Sequence, residues 1–178
     1  MSLLSKTAKV AHSAAASILA KPVIRVGTAL PSVMLKDQAG KATVSLNSLK
    51  GKNIILGVPG AFTPSCSNQV PGYIEAYEKF KSKGVDGIYV VAVNDAFVMK
   101  AWGEKLAPKG SLVKFLSDDK AEFVSELGLV FDASEALGGP RSKRFALVTE
   151  GGKVTKINVE DAPPNVTVTT ADSLLKDL

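Results

Sequence analysis

The single cysteine of this 178-residue chain, Cys66, closes the run Val58-Pro59-Gly60-Ala61-Phe62-Thr63-Pro64-Ser65-Cys66, set among prolines and small residues where a buried strand gives way to a helix. A thiol becomes a useful nucleophile when its thiolate is favoured, and helix N-termini and nearby cations are the usual means. Cys66 falls where the helix running to Lys83 should begin, so unpaired backbone N–H groups of the first turn can point at its sulfur. Pro59 and Pro64 stiffen the approach without needing N–H partners. Thr63, three residues before the sulfur, carries a hydroxyl that both donates and accepts and can orient an oxygen-containing substrate. A lone cysteine is otherwise a small buried hydrophobe; this placement favours a reactive one.

The sequence narrows the kinds of cysteine chemistry. Cysteine hydrolases pair the thiol with a histidine, and the one histidine, His12, lies in a tail that looks detachable. A CxxC exchanger lacks its second cysteine, and a Cys/His metal site lacks ligands. A thiolate activated by a cation is left, and arginine is the cation that can also donate two hydrogen bonds to an oxyanion. Arg141 and Arg144 are the candidates, and Arg144 opens a strand, where its position would be fixed. A solvated surface charge is the bland alternative for either.

At 46% apolar, a chain of this length suits one domain with a real core. No apolar run approaches the roughly 18 residues that span a bilayer, so a soluble protein with no membrane partner is expected. One cysteine forms no intrachain disulfide, and a reducing compartment suits a free thiol. Of the net charge of +5, residues 1–25 contribute +4 through Lys6, Lys9, Lys21 and Arg25, with no acid before Asp37. The body is near neutral, which gives no support to a nucleic-acid groove. Residues 1–21, rich in Ala, Ser and Lys, read as an N-terminal extension with the composition of a mitochondrial presequence, although arginine is missing; a tail with no address, in a cytoplasmic protein, is the alternative.

The body, residues 22–178, must place the thiol. Val23–Gly27 and Ser32–Leu35 suggest short strands or extended segments, with a turn at Asp37–Lys41. Asn53–Val58 is a short continuous apolar run, as in a strand buried on both faces. A helix follows from Cys66 to Lys83, stopped by Gly84, then a second buried strand at 87–93 and a helix begun by Asn94-Asp95. Val113–Leu116 reads as a third strand, followed by a helix capped by Asp118 and running to Leu127. Phe145–Val148 and Val154–Ile157 flank Gly151-Gly152 as a hairpin, and a final helix starts near Thr169 or Thr170. Alternating strands and helices imply parallel pairing. The fold class expected is therefore α/β, a thioredoxin-like mixed sheet flanked by helices with a hairpin closing one edge.

The run Pro59–Cys66 is similar to the active-site signature of peroxiredoxins, and of the type II, or peroxiredoxin 5-like, branch in particular. Val70-Pro71-Gly72-Tyr73, Val93–Val98, Ala101-Trp102-Gly103 and Lys143–Val148 match that branch as well, and the likeness spans residues 22 to 178. It implies a thiol peroxidase reducing hydrogen peroxide and alkyl hydroperoxides, with Cys66 as peroxidatic cysteine, Thr63 as hydroxyl partner, Pro59 as shielding proline and Arg144 as guanidinium. It implies no cofactor. The positions where branch members carry a resolving cysteine correspond to Val168 and Val90, so a one-cysteine form is implied, reset by an external thiol: glutathione, glutaredoxin or thioredoxin. The segment after Cys66 is one residue shorter than in related chains, which implies a changed register in the first helical turn. A homodimer packed beside the active site is the family's habit. A peroxide sensor or redox-regulated interaction protein using the same cysteine is the competing function.

Overall fold

The computed structural model describes residues 21–178. The proposed extension, apart from Lys21, lies outside the described residues. Nine strands and six α-helices follow in the described chain. A seven-stranded sheet has the order β2-β1-β5-β4-β3-β8-β9, where β1 is Met34–Lys36, β2 Ala42–Ser45, β3 Lys52–Gly57, β4 Val85–Ala92, β5 Lys114–Ser117, β8 Phe145–Glu150 and β9 Lys153–Val159. The β3–β4 and β4–β5 pairs are parallel, and β8 returns antiparallel beside β3. The mixed sheet and its closing hairpin are those expected.

The apolar runs lie centrally because both faces of β3 and β4 are covered, so alternate side chains enter different cores. Ile54, Leu56, Ile88 and Val90 pack with Val70, Tyr73, Phe80, Trp102 and Leu174 on the face that also holds Cys66. Ile55, Tyr89, Val91 and Leu147 pack on the other, against Phe123, Val124 and Leu127. A parallel β3–β4 pair requires a crossover, and α1 (Pro64–Glu75) with α2 (Tyr77–Ser82) supplies it.

The helix expected as one piece from Cys66 to Lys83 starts two residues earlier and is broken at Ala76, at φ −84 and ψ 5. Pro71, which has no N–H to bond Ser67 O, lies inside the first piece, which runs on to Glu75. Tyr73 and Phe80 still stack across the break, 5.6 Å apart at 4°. The helix α3 (Ala96–Leu106) begins as expected, with Asp95 accepting from the N–H groups of Phe97 and Val98. The helix expected through Leu127 is only α4 (Glu122–Glu126). Asp118 caps it from a distance, accepting from Phe123 N at 3.1 Å and Val124 N at 2.9 Å across Ala121 at φ 56. Burial pushes the Asp118 carboxyl up in spite of those bonds.

Val23–Gly27 forms no strand; Ile24 N donates to Leu127 O, and Ala29 bridges Lys153 at the β9 edge. The sequence reading also missed a small hairpin of β6 (Val130–Asp132) and β7 (Pro140–Ser142) around α5 (Ser134–Leu137). The final helix, α6 (Ala171–Lys176), has Thr170 as its cap. Among the described residues no helix is long and apolar enough to cross a membrane, and no group of acids, cysteines and histidines could hold a metal.

Candidate active site

β3 ends at Gly57, and Val58, Pro59 and Gly60 leave it as a buried turn. Ala61 N donates to Asn94 Oδ1 at 3.0 Å, tying this turn to the loop after β4. Phe62 follows in the left-handed region at φ 64, which turns the chain so that Thr63 becomes the N-cap and Pro64 the first helical residue. Proline fits there because its missing N–H is one the helix leaves unpaired. Cys66 is therefore in the first turn, as its placement in the sequence suggests, and is fully buried.

The Thr63 hydroxyl is not used to cap the helix. It donates to Gly60 O at 3.0 Å. With its proton so committed, the oxygen keeps lone pairs free to accept a hydrogen bond. Pro59 lies buried in the same turn, two residues beyond the strand.

Arg144 sits one residue ahead of β8 rather than within it, and it is 2% exposed. Its Nη1 donates to Cys66 Sγ at 3.4 Å and to Gln69 Oε1 at 2.7 Å. Nε and Nη2 both donate to Pro163 O, at 3.1 and 2.8 Å. This fork geometry holds a cation in the core without a carboxylate beside it, an arrangement open to arginine and not to lysine. Arg141 serves elsewhere: Nη1 donates to Val93 O at 2.7 Å and Nη2 to Leu137 O at 2.8 Å. It braces loops around the turn, and its hydrogen bonds go to these carbonyls rather than to the sulfur.

The structure adds residues that sequence reasoning missed. Gln69 is buried, and while its Oε1 takes Arg144, its Nε2 donates to Thr169 O at 2.8 Å and Thr169 Oγ1 at 2.7 Å. It lies one helical turn after Cys66, so a polar residue at that spacing inside an apolar face was the available signal. Trp102 Nε1 donates to Ser67 Oγ at 3.2 Å, fixing α3 against the residue after the cysteine. Ser65 Oγ donates to Pro164 O at 3.0 Å. Tyr73 OH donates to Thr169 O, and burial pushes its phenol far above the ordinary value.

A thiol at a helix start, backed by a buried guanidinium on a thioredoxin-like sheet, defines a thiol-dependent oxidoreductase. The model of the Redoxin family matches residues 25–175. Peroxisomal membrane associated protein 20 of Schizosaccharomyces pombe is 47% identical over 157 residues, covering 88% of this chain and 100% of that one. Peroxiredoxin-2C of Oryza sativa is 47% identical over 161 residues, covering 87% and 98%. Reduced Prx3 of Vibrio vulnificus, solved in complex with hydrogen peroxide, superposes with a TM-score of 0.78 at 41% identity, covering 88% of this chain and 100% of that one. The chain belongs to the peroxiredoxins, in their type II, peroxiredoxin 5-like branch, with one cysteine. It is a thiol peroxidase, and these likenesses favour that activity over a peroxide sensor or a redox-regulated interaction protein.

Proposed function

We propose that Cys66 is the peroxide-attacking residue, that Thr63 and Arg144 hold the two peroxide oxygens, and that Pro59 limits water. The contact of Arg144 Nη1 with Cys66 Sγ at 3.4 Å carries this reading, because it puts a fixed positive charge where sulfur and oxygen exchange charge. As the thiolate, Cys66 attacks one oxygen of a hydroperoxide. An S–O bond forms, the O–O bond breaks, sulfur is oxidised by two electrons, and the departing oxygen takes a proton to leave as water or alcohol. Thr63 Oγ1, whose own O–H donates to Gly60 O, accepts a hydrogen bond from the bound peroxide. Arg144 stabilises the charge that grows on the oxygens as their bond lengthens.

Cys66 becomes a sulfenic acid. An external thiol condenses with it, releasing water, and a second thiol frees Cys66 as a disulfide departs; glutathione with glutaredoxin, or thioredoxin, are the donors proposed. Val168 and Val90 supply no internal thiol. Because Cys66 is fully buried, the first turns of α1 must open before a bulky thiol can reach it. We also propose a homodimer and a mitochondrial address in residues 1–21.

Peroxide consumption measured with each reductant tests the reading. Hydrogen peroxide and an alkyl hydroperoxide should both be turned over, Cys66→Ser should abolish it, and Thr63→Val should slow it on the order of 100-fold, as for loss of one transition-state contact. Turnover surviving Cys66→Ser would falsify the assignment.

A further inference from the structure

The loop joining β9 to α6, residues 160–169, is closed by one carboxylate. Glu160 Oε1 accepts from Thr167 N at 2.7 Å, Thr169 N at 2.9 Å and Thr169 Oγ1 at 2.8 Å, and Oε2 accepts from Thr167 Oγ1 at 2.7 Å. The residue is 7% exposed, and its own N–H donates to Arg144 O at 3.0 Å. Burial works against its charge, but the four hydrogen bonds outweigh it and hold the carboxyl below its ordinary range. A carboxylate suits the place because it accepts at every lone pair and donates nowhere.

What the loop presents to the active site is a set of acceptors. Pro163 O takes Nε and Nη2 of Arg144, and Pro164 O takes Ser65 Oγ. At the loop's end, Thr169 O and Oγ1 take Gln69 Nε2, and Gln69 Oε1 takes Arg144 Nη1. Apart from the sulfur, then, the side-chain acceptors of Arg144 among the described residues are the loop itself and a glutamine held by the loop.

We propose that Glu160, although it touches neither sulfur nor peroxide, is a positioning residue for peroxide reduction: its carboxylate shapes the 160–169 loop that aims Arg144 at Cys66. This rests on Arg144 acting in the reaction. An amide in place of the carboxylate has the same shape but removes the charge on which four donors converge, and with its oxygen kept at the Oε1 position its NH2 group faces the Thr167 hydroxyl, which must turn from donor to acceptor. The loop is then held by weaker, uncharged hydrogen bonds, and the guanidinium loses its alignment.

A double-mutant cycle on the reduced full chain tests this, reading the rate at which one equivalent of hydrogen peroxide converts Cys66 to a dimedone-reactive sulfenic acid. Glu160→Gln should slow the step on the order of 10- to 100-fold, the size of effect that small misplacements produce. Thr169→Val, which removes one hydroxyl at nearly constant volume, should slow it about 3- to 10-fold. In an Arg144→Lys background, already slow, Glu160→Gln should change the rate by no more than about twofold, since both act through one group. Wild-type rates in folded Glu160→Gln and Thr169→Val overturn the proposal. So do losses that multiply in the double variant, because they mark general loosening. If Glu160→Gln does not fold, by circular dichroism, Thr169→Val decides. A wild-type rate in Arg144→Lys removes the Arg144 reading itself, and this proposal with it, whereas a slow Arg144→Lys beside a normal Glu160→Gln removes this proposal alone.

Discussion

Phe62 combines two unfavourable states. Its backbone lies at φ 64, a strain of about 1–3 kcal/mol for a bulky residue, and its ring is 46% exposed, with Lys105 Nζ 5.6 Å from the centroid. The turn needs the left-handed residue to swing Thr63 into the N-cap, but it does not need a phenyl ring. The homodimer proposed above, packed beside the active site, predicts that a second copy covers that ring. Phe62→Asn keeps a residue that tolerates the left-handed region and removes the apolar surface. Sedimentation equilibrium should show the dimer dissociation constant raised at least about 10-fold, as for loss of an interface anchor. Association as tight as the wild type's would rule the ring out as a contact. The same scale shows how sequence distinguishes residues poorly when only the fold places them. Arg141 and Arg144 both precede the β8 strand, three positions apart, yet one braces Val93 and Leu137 while the other donates to Cys66. Their spacing alone does not separate them, because Val93 and Cys66, the partners that tell them apart, lie 48 and 78 positions away in the chain.

At the level of elements, the site depends on how closely β3 and β8 approach. Gly57 pairs with Phe145 across the antiparallel ladder, and a Cβ at Gly57 would fall 2.1 Å from the Phe145 ring. The Phe145 ring covers the space a side chain would take, so the last residue before the active-site turn is a glycine. Gly57→Ala should lower unfolding free energy by about 1–3 kcal/mol, the usual effect of overpacking. It should also slow peroxide reduction, since Arg144 adjoins Phe145 and the Cys66 turn adjoins Gly57. Urea denaturation checks the first; an unchanged midpoint would contradict the packing account. The strands here are readable from sequence, since runs such as Ile54–Val58 hold no polar side chain. The break at Ala76 was not readable in the same way, because the apolar spacing of Tyr73, Tyr77 and Phe80 continues through it. The β6–β7 pair was missed because each strand is three residues long, too short for a period to show.

On the scale of the whole molecule, the charge of the chain is divided. Residues 1–25 carry +4 of the net +5, ahead of a body close to neutral. The proposed mitochondrial address predicts that the chain synthesised in vitro is taken up by isolated mitochondria in a potential-dependent way, and that a chain beginning at Pro22 is not. Equal exclusion of both would remove it. The body's chemistry is independent of that outcome.

Local pattern alone carried the single thiol at a helix start, the order of the central strands and their helices, and the resemblance to peroxiredoxins: one cysteine, apolar runs of strand length, and a turn of prolines and small residues. The tertiary structure alone supplied the contact between Arg144, the arginine the resemblance implied, and the thiol, the bridge from Arg144 through Gln69 to Thr169, and the closing of the loop behind them by Glu160. Those contacts join residues 75, 100 and 9 positions apart, counting from Gln69 to Arg144, Gln69 to Thr169 and Glu160 to Thr169. The longer two require β8 and the 160–169 loop to fold back against α1. A buried guanidinium is stable only where such distant carbonyls converge on it, and no local spacing encodes that convergence.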